Sequence, residues 1–140
     1  ENVMTDIYPK ELALTSDHAD FQSHYLDLDI MIKNDKFHTK LFDKRDAFNF
    51  QIVNFPDLSG NIPNKHSYGF FVSQLIRYAR CCGDVTDFTN RTKTLIDKLT
   101  KQNFLLGQLR RVFERFAATQ YELLFKYNVP SSTLSDFRCC

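Results

Sequence analysis

Tyr25-Leu26-Asp27-Leu28-Asp29-Ile30-Met31-Ile32 alternates strictly, with Leu26, Leu28, Ile30 and Ile32 on one side and Tyr25, Asp27, Asp29 and Met31 on the other. A period of two is that of a half-buried strand. The polar run Lys33-Asn34-Asp35-Lys36 follows as a loop, and Phe37-His38-Thr39-Lys40-Leu41-Phe42 reads as the return strand of a β-hairpin. A third short strand is expected over residues 49–55, ended by Pro56. Residues 57–64, with Ser59-Gly60 and Pro63, read as loop. Upstream, residues 8–14 read as a short extended segment.

Past residue 66 the period lengthens to that of a helix. A helix over residues 67–82 puts Phe71, Val72, Leu75, Ile76 and Ala79 on one face, with Gly83 as its C-terminal stop. A second over residues 86–102 turns Phe88, Leu95, Ile96 and Leu99 inward. The third, over residues 106–127, aligns Leu109, Val112, Phe113, Phe116, Leu123, Leu124 and Tyr127, and Pro130 closes it. Each helix is too apolar on one face to stand alone, so an antiparallel three-helix bundle is expected. The fold class is therefore α+β: a small antiparallel sheet at about residues 25–55, then the bundle at about 67–127. The chain divides into a β part, 1–64, and a helical part, 65–140.

Composition excludes several classes. With 43% hydrophobic and 25% charged residues in 140, the chain is neither disordered nor collagen-like. No apolar run approaches the roughly 20 residues of a membrane-spanning helix, and Glu1-Asn2-Val3-Met4 has no signal-peptide character. Beginning at Glu1, the chain reads as part of something longer. Its cysteines form two adjacent pairs, Cys81-Cys82 and Cys139-Cys140, without the C-x-x-C spacing or neighbouring His of a zinc site. Reduced thiols and an intracellular location, nuclear or cytoplasmic, are expected.

Charge is divided unevenly. Residues 1–60 hold 11 acidic against 6 basic groups, and residues 61–140 hold 12 basic against 6 acidic, so the helical part is a candidate for a polyanionic partner. Arg77 and Arg80 share a helix face opposite the apolar stripe, as do Lys98 with Lys101 and Arg111 with Arg115, Arg110 lying beside them. If these faces converge, they line a groove able to track a phosphate backbone. Asp27 and Asp29 fall on one strand face, yet no third group with metal-ligand spacing accompanies them, and solvent-facing acids are the plainer reading. His18, His24, His38 and His66 are scattered, and the glycines form no phosphate loop. No catalytic or metal-binding residue is assigned.

Longer words in the chain are distinctive. Tyr25-Leu26-Asp27-Leu28-Asp29-Ile30 is followed in order by Leu41-Phe42-Asp43-Lys44-Arg45-Asp46-Ala47-Phe48-Asn49-Phe50, Ile52-Val53-Asn54-Phe55-Pro56, Gly60-Asn61-Ile62-Pro63 and Ser73-Gln74-Leu75-Ile76-Arg77-Tyr78-Ala79-Arg80. This string resembles the segment after the catalytic Tyr-x-Asp-Asp box in reverse transcriptases of non-LTR and Penelope-like retroelements. Ile7-Tyr8-Pro9-Lys10-Glu11-Leu12 is similar to the stretch just downstream of that box.

The resemblance implies the end of a polymerase palm, with a primer-gripping hairpin, followed by a helical thumb against the template–primer duplex. It implies duplex-contacting roles for Lys44, Arg45, Arg77 and Arg80, and, through a looser match, for Arg110, Arg111 and Arg115. Partners would be an RNA/DNA template–primer duplex and the remainder of the polymerase chain. Mg²⁺ would serve the complete polymerase, with no cofactor in this segment. No Tyr-x-Asp-Asp occurs in the sequence, so the chain is not expected to polymerise alone by a two-metal mechanism. A different expectation is a domesticated remnant acting as a small protein–protein interaction domain.

Overall fold

The computed structural model describes residues 21–50, 52 and 55–127. The extended segment expected at 8–14, the stop at Pro130, and Cys139 and Cys140 lie outside them. Three strands make an antiparallel sheet in the order β1 (Gln22–Tyr25), β2 (Leu28–Lys33), β3 (Lys36–Leu41). The single strand expected from Tyr25 to Ile32 is in fact broken: Tyr25 pairs with Leu28 across a two-residue turn, Leu26-Asp27, with Leu26 at φ 53. The next turn is equally tight. Lys33 pairs with Lys36, and Asn34 and Asp35 take φ 50 and 59, the left-handed pair that a two-residue hairpin turn requires. The third strand is therefore β1, on the opposite side of β2 from β3; the described positions among residues 49–55 carry no strand.

After β3, Asp43 caps a 3₁₀ turn over Lys44–Ala47, its carboxylate accepting from the Arg45 N–H. The helices are α1 (Asn64–Cys81), α2 (Val85–Thr100), α3 (Leu106–Thr119) and α4 (Tyr121–Phe125). Asp84 caps α2 by accepting from the Asp87 N–H at 2.8 Å. The third expected helix is interrupted at Gln120, which leaves the helical region at φ −114, ψ 32 and starts the short α4. Buried Phe71, Leu75 and Ala79 of α1, Phe88, Leu95 and Leu99 of α2, and Leu109, Phe113 and Phe116 of α3 form the core, as their spacing dictates. Leu41 brings the end of β3 into the same core, at 3% exposure.

Sheet and bundle meet along the free edge of β3. Gly83 N–H donates to the Thr39 carbonyl at 2.7 Å, and a Cβ on Gly83 would stand 3.1 Å from that oxygen. The glycine does not adopt the left-handed conformation of a helix stop; α1 ends by itself at Cys82, and glycine is needed because two backbones touch. From the α2 side, Arg91 donates to the Leu41 carbonyl at 3.1 Å. Around the same corner, Lys126 and the Tyr127 hydroxyl both donate to the Cys82 carbonyl, at 2.6 and 3.0 Å. Among the described residues, no helix is long and apolar enough to cross a membrane.

Candidate nucleic-acid interface

Three of the expected cations come together. Lys44 and Arg45 on the 3₁₀ turn and Arg77 on α1 line an open cleft of about 560 Å³ with Leu26, Phe42 and Asp43. The cleft sits where the β1–β2 turn leans on the helices. Its guanidiniums are not bare. Arg77 forks onto Asp27, Nη2 to Oδ1 at 2.7 Å and Nε to Oδ2 at 3.1 Å. Arg45 forks onto Asp43 at 2.7 and 2.6 Å. This bond holds the Asp43 carboxyl below its ordinary range, with burial opposing, and raises Arg45. Lys44 is exposed and carries no ion pair among the described residues.

Asp27 and Asp29 therefore do not form a carboxylate pair on one strand. Asp27 lies in the turn and serves Arg77, while Asp29, within β2, accepts from the Gln22 side chain at 2.9 and 3.0 Å. The remaining cations lie elsewhere. Arg80 is exposed in the last turn of α1. Lys98 and Lys101 sit at the C-terminal end of α2, and Arg110, Arg111 and Arg115 are exposed on α3. The α2–α3 corner packs at the other end of α1, where Tyr68 meets Phe104 edge-on at 5.1 Å and accepts from the Leu105 N–H. Arg77 is about 14 Å further along α1, at 1.5 Å per residue. The expected cations thus do not all gather: Lys44, Arg45 and Arg77 line the cleft, whereas Lys98 and Lys101 stand at the far end of α2.

Sequence reasoning missed Arg91, and missed Asp27 as the partner of Arg77. Arg91 binds Asp46 as well as the Leu41 carbonyl, so it ties α2 to the 3₁₀ turn. A mixed-charge cleft of about 550 Å³ opens beside it, lined by Lys40, Asp46, Asp87 and Asn90 among others. Burial there raises the Asp87 carboxyl, helped by Asp84 and opposed by Lys40. Neither partnership leaves a local signal, because Arg77 to Asp27 spans 50 positions and Arg91 to Asp46 spans 45. Cys82 is buried and Cys81 half-buried, and burial raises both thiols. Among the described residues, no three His, Cys, Asp or Glu side chains gather as a metal site. Comparison with family models, with curated proteins and with solved structures gave no match.

Proposed function

We propose that this chain is a non-catalytic segment of a mobile-element RNA-directed DNA polymerase, gripping the template–primer duplex. The observation that carries the reading is the cleft at the sheet–helix junction, where Lys44, Arg45 and Arg77 meet. Those residues stand within the words that resemble reverse transcriptases, at the join between a hairpin and a helical part. Arginine suits the task because its planar fork matches phosphate oxygens and stays charged at working pH. The grip works through phosphates, with little sequence preference. The rest of the polymerase supplies the catalytic aspartates and their Mg²⁺.

Binding of an RNA–DNA hybrid, followed by fluorescence anisotropy at several salt concentrations, tests this. Replacing Arg77 and Arg80 together by Ala is expected to weaken binding alike for unrelated sequences. The slope of log K against log salt should flatten by up to about two units, at about 0.9 per phosphate on B-form DNA. A folded double variant with an unchanged slope refutes the proposal. One observation favours the second reading, a small protein-interaction domain: Asp27 and Asp43 already neutralise both cleft guanidiniums. Salt-insensitive behaviour in the same assay would put that reading first.

A further inference from the structure

A phosphate offers hydrogen-bond acceptors only, so a cleft that served phosphates alone would present donors. The cleft at the sheet–helix junction is mixed: Lys44, Arg45 and Arg77 share its lining with two carboxylates, Asp27 and Asp43. Asp43 is spent within the fold. Its side chain is 13% exposed. One of its oxygens accepts from the Arg45 backbone N–H at 3.1 Å and from Nε at 2.7 Å, and the other accepts from Nη2 at 2.6 Å. Asp27 differs. Its side chain is 56% exposed, and among the described residues each of its oxygens accepts one bond, both from Arg77. An ionised carboxylate has about four lone-pair sites, so about half of the acceptor capacity of Asp27 stays open.

We propose that Asp27 reads the sugar of the bound strand, its open acceptor sites taking the 2′-hydroxyl hydrogen of an RNA nucleotide while the neighbouring cations hold that strand's phosphates. The inference rests on the duplex reading and says which strand of the hybrid lies in the cleft. Deoxyribose and the phosphodiester carry no hydrogen-bond donor, so against a DNA strand Asp27 contributes only repulsion of the phosphates. RNA adds one donor per nucleotide, the 2′-hydroxyl, displayed in the wide, shallow minor groove of an A-form duplex. A hydrogen bond to a charged oxygen is roughly twice as strong as a neutral one. The carboxylate that penalises DNA therefore favours RNA. Lys44, exposed and without an ion pair among the described residues, is placed for the phosphate. Leu26, exposed in the turn beside Asp27, and Phe42 give the cleft an apolar wall for the ribose ring.

The test compares three duplexes of one sequence by fluorescence anisotropy: an RNA–DNA hybrid, the same hybrid with a 2′-fluoro RNA strand, and an all-DNA duplex. Fluorine keeps nearly the size of the hydroxyl and the A-like sugar pucker of RNA but has no hydrogen to donate. The wild-type protein is expected to bind the native hybrid about tenfold or more tightly than the fluoro hybrid. Asp27→Ala should bind those two alike, whatever its overall affinity, since release of Arg77 shifts both equally. Asp27→Asn, which keeps a neutral acceptor oxygen, should retain part of the preference. Equal binding of the native and fluoro hybrids by the wild-type protein overturns the proposal and leaves the duplex grip standing. If the all-DNA duplex is then the weaker ligand, shape and not the hydroxyl selects the hybrid. A preference that survives in folded Asp27→Ala also overturns the proposal, because another group then reads the hydroxyl. Should none of the three duplexes bind, the duplex reading falls and this inference falls with it.

Discussion

Asp27→Asn removes one negative charge from the mouth of the cleft while leaving the turn its shape. The Asp27 backbone carbonyl still accepts from the Phe42 N–H at 2.8 Å, and Asn is at home in tight turns. The Asp27 side chain is 56% exposed and Arg77 27% exposed, so theirs is a surface pair, and losing it costs about 0.2–1 kcal/mol of stability. The effect on duplex binding is larger and of opposite sign. Two unit charges at contact distance interact by about 1 kcal/mol in bulk water and about 4 near a protein surface. An open cleft lies toward the lower figure, so lifting the repulsion of a phosphate by Asp27 is worth about 1–2 kcal/mol, or about five- to thirtyfold in affinity. Freed from its carboxylate, Arg77 neutralises its phosphate more completely, which steepens the slope of log K against log salt by at most about 0.9. Anisotropy titrations of an RNA–DNA hybrid between about 50 and 200 mM salt would register both changes. If the variant keeps its unfolding midpoint yet binds no tighter, with an unaltered slope, Arg77 is a structural latch and the cleft does not face a duplex.

Ser67 is 1% exposed and its hydroxyl has no hydrogen-bond partner among the described residues. Ser67→Ala is expected to raise stability by about 1 kcal/mol, by removing an unsatisfied buried group and improving helix propensity; a lower urea midpoint would show that the hydroxyl has a partner after all. Burial raises the Tyr78 and Tyr127 phenols and the Cys81 and Cys82 thiols. Groups shifted upward give stability that is complete below their unfolded values, about 8.5 for thiols and 10 for phenols, and lost as pH rises through the folded ones. Lys126, lowered by burial, acts in the opposite sense over the same range. Urea midpoints are therefore expected to fall from about pH 9 upward, less steeply in Cys82→Ala; midpoints flat to pH 11 would contradict the burial of these groups.

The helices were legible because one physical demand, burial of a stripe, sets their spacing, and Phe71, Leu75, Phe88, Leu99 and Phe113 answer it where expected. The break at Gln120 was not, since Ala117-Ala118-Thr119-Gln120 holds neither Gly nor Pro. The sheet was half legible. Period two survives in β2 and β3, but the reversal at Leu26-Asp27 has none of the Gly or Asn that usually announces a positive φ. Reading Phe21-Gln22-Ser23-His24-Tyr25 as an alternating run of its own would have revealed β1. For the site, Arg77 could be named from spacing and Lys44 and Arg45 from the resemblance, whereas the Asp27 partner of Arg77 is brought in by tertiary packing. Gly83 shows the same limit: a glycine after a helix suggests a stop, and only the approach of Thr39 reveals its purpose.

The bonds tying the sheet to the helices leave from one end of it: Thr39 to Gly83, Leu41 and the following Asp46 to Arg91, and the Asp27 turn to Arg77. Mechanically the meander is a cantilever, clamped at Leu41 and free at Ile32 and Phe37. A load on the free tip is resisted at the clamp, where the Gly83 backbone is pressed against Thr39 with no side chain to cushion it. The adjoining Cys82 carbonyl is also the anchorage of Lys126 and Tyr127 just past α4. The clamp of the sheet and the anchorage just past α4 thus share one short stretch of backbone, Cys82-Gly83.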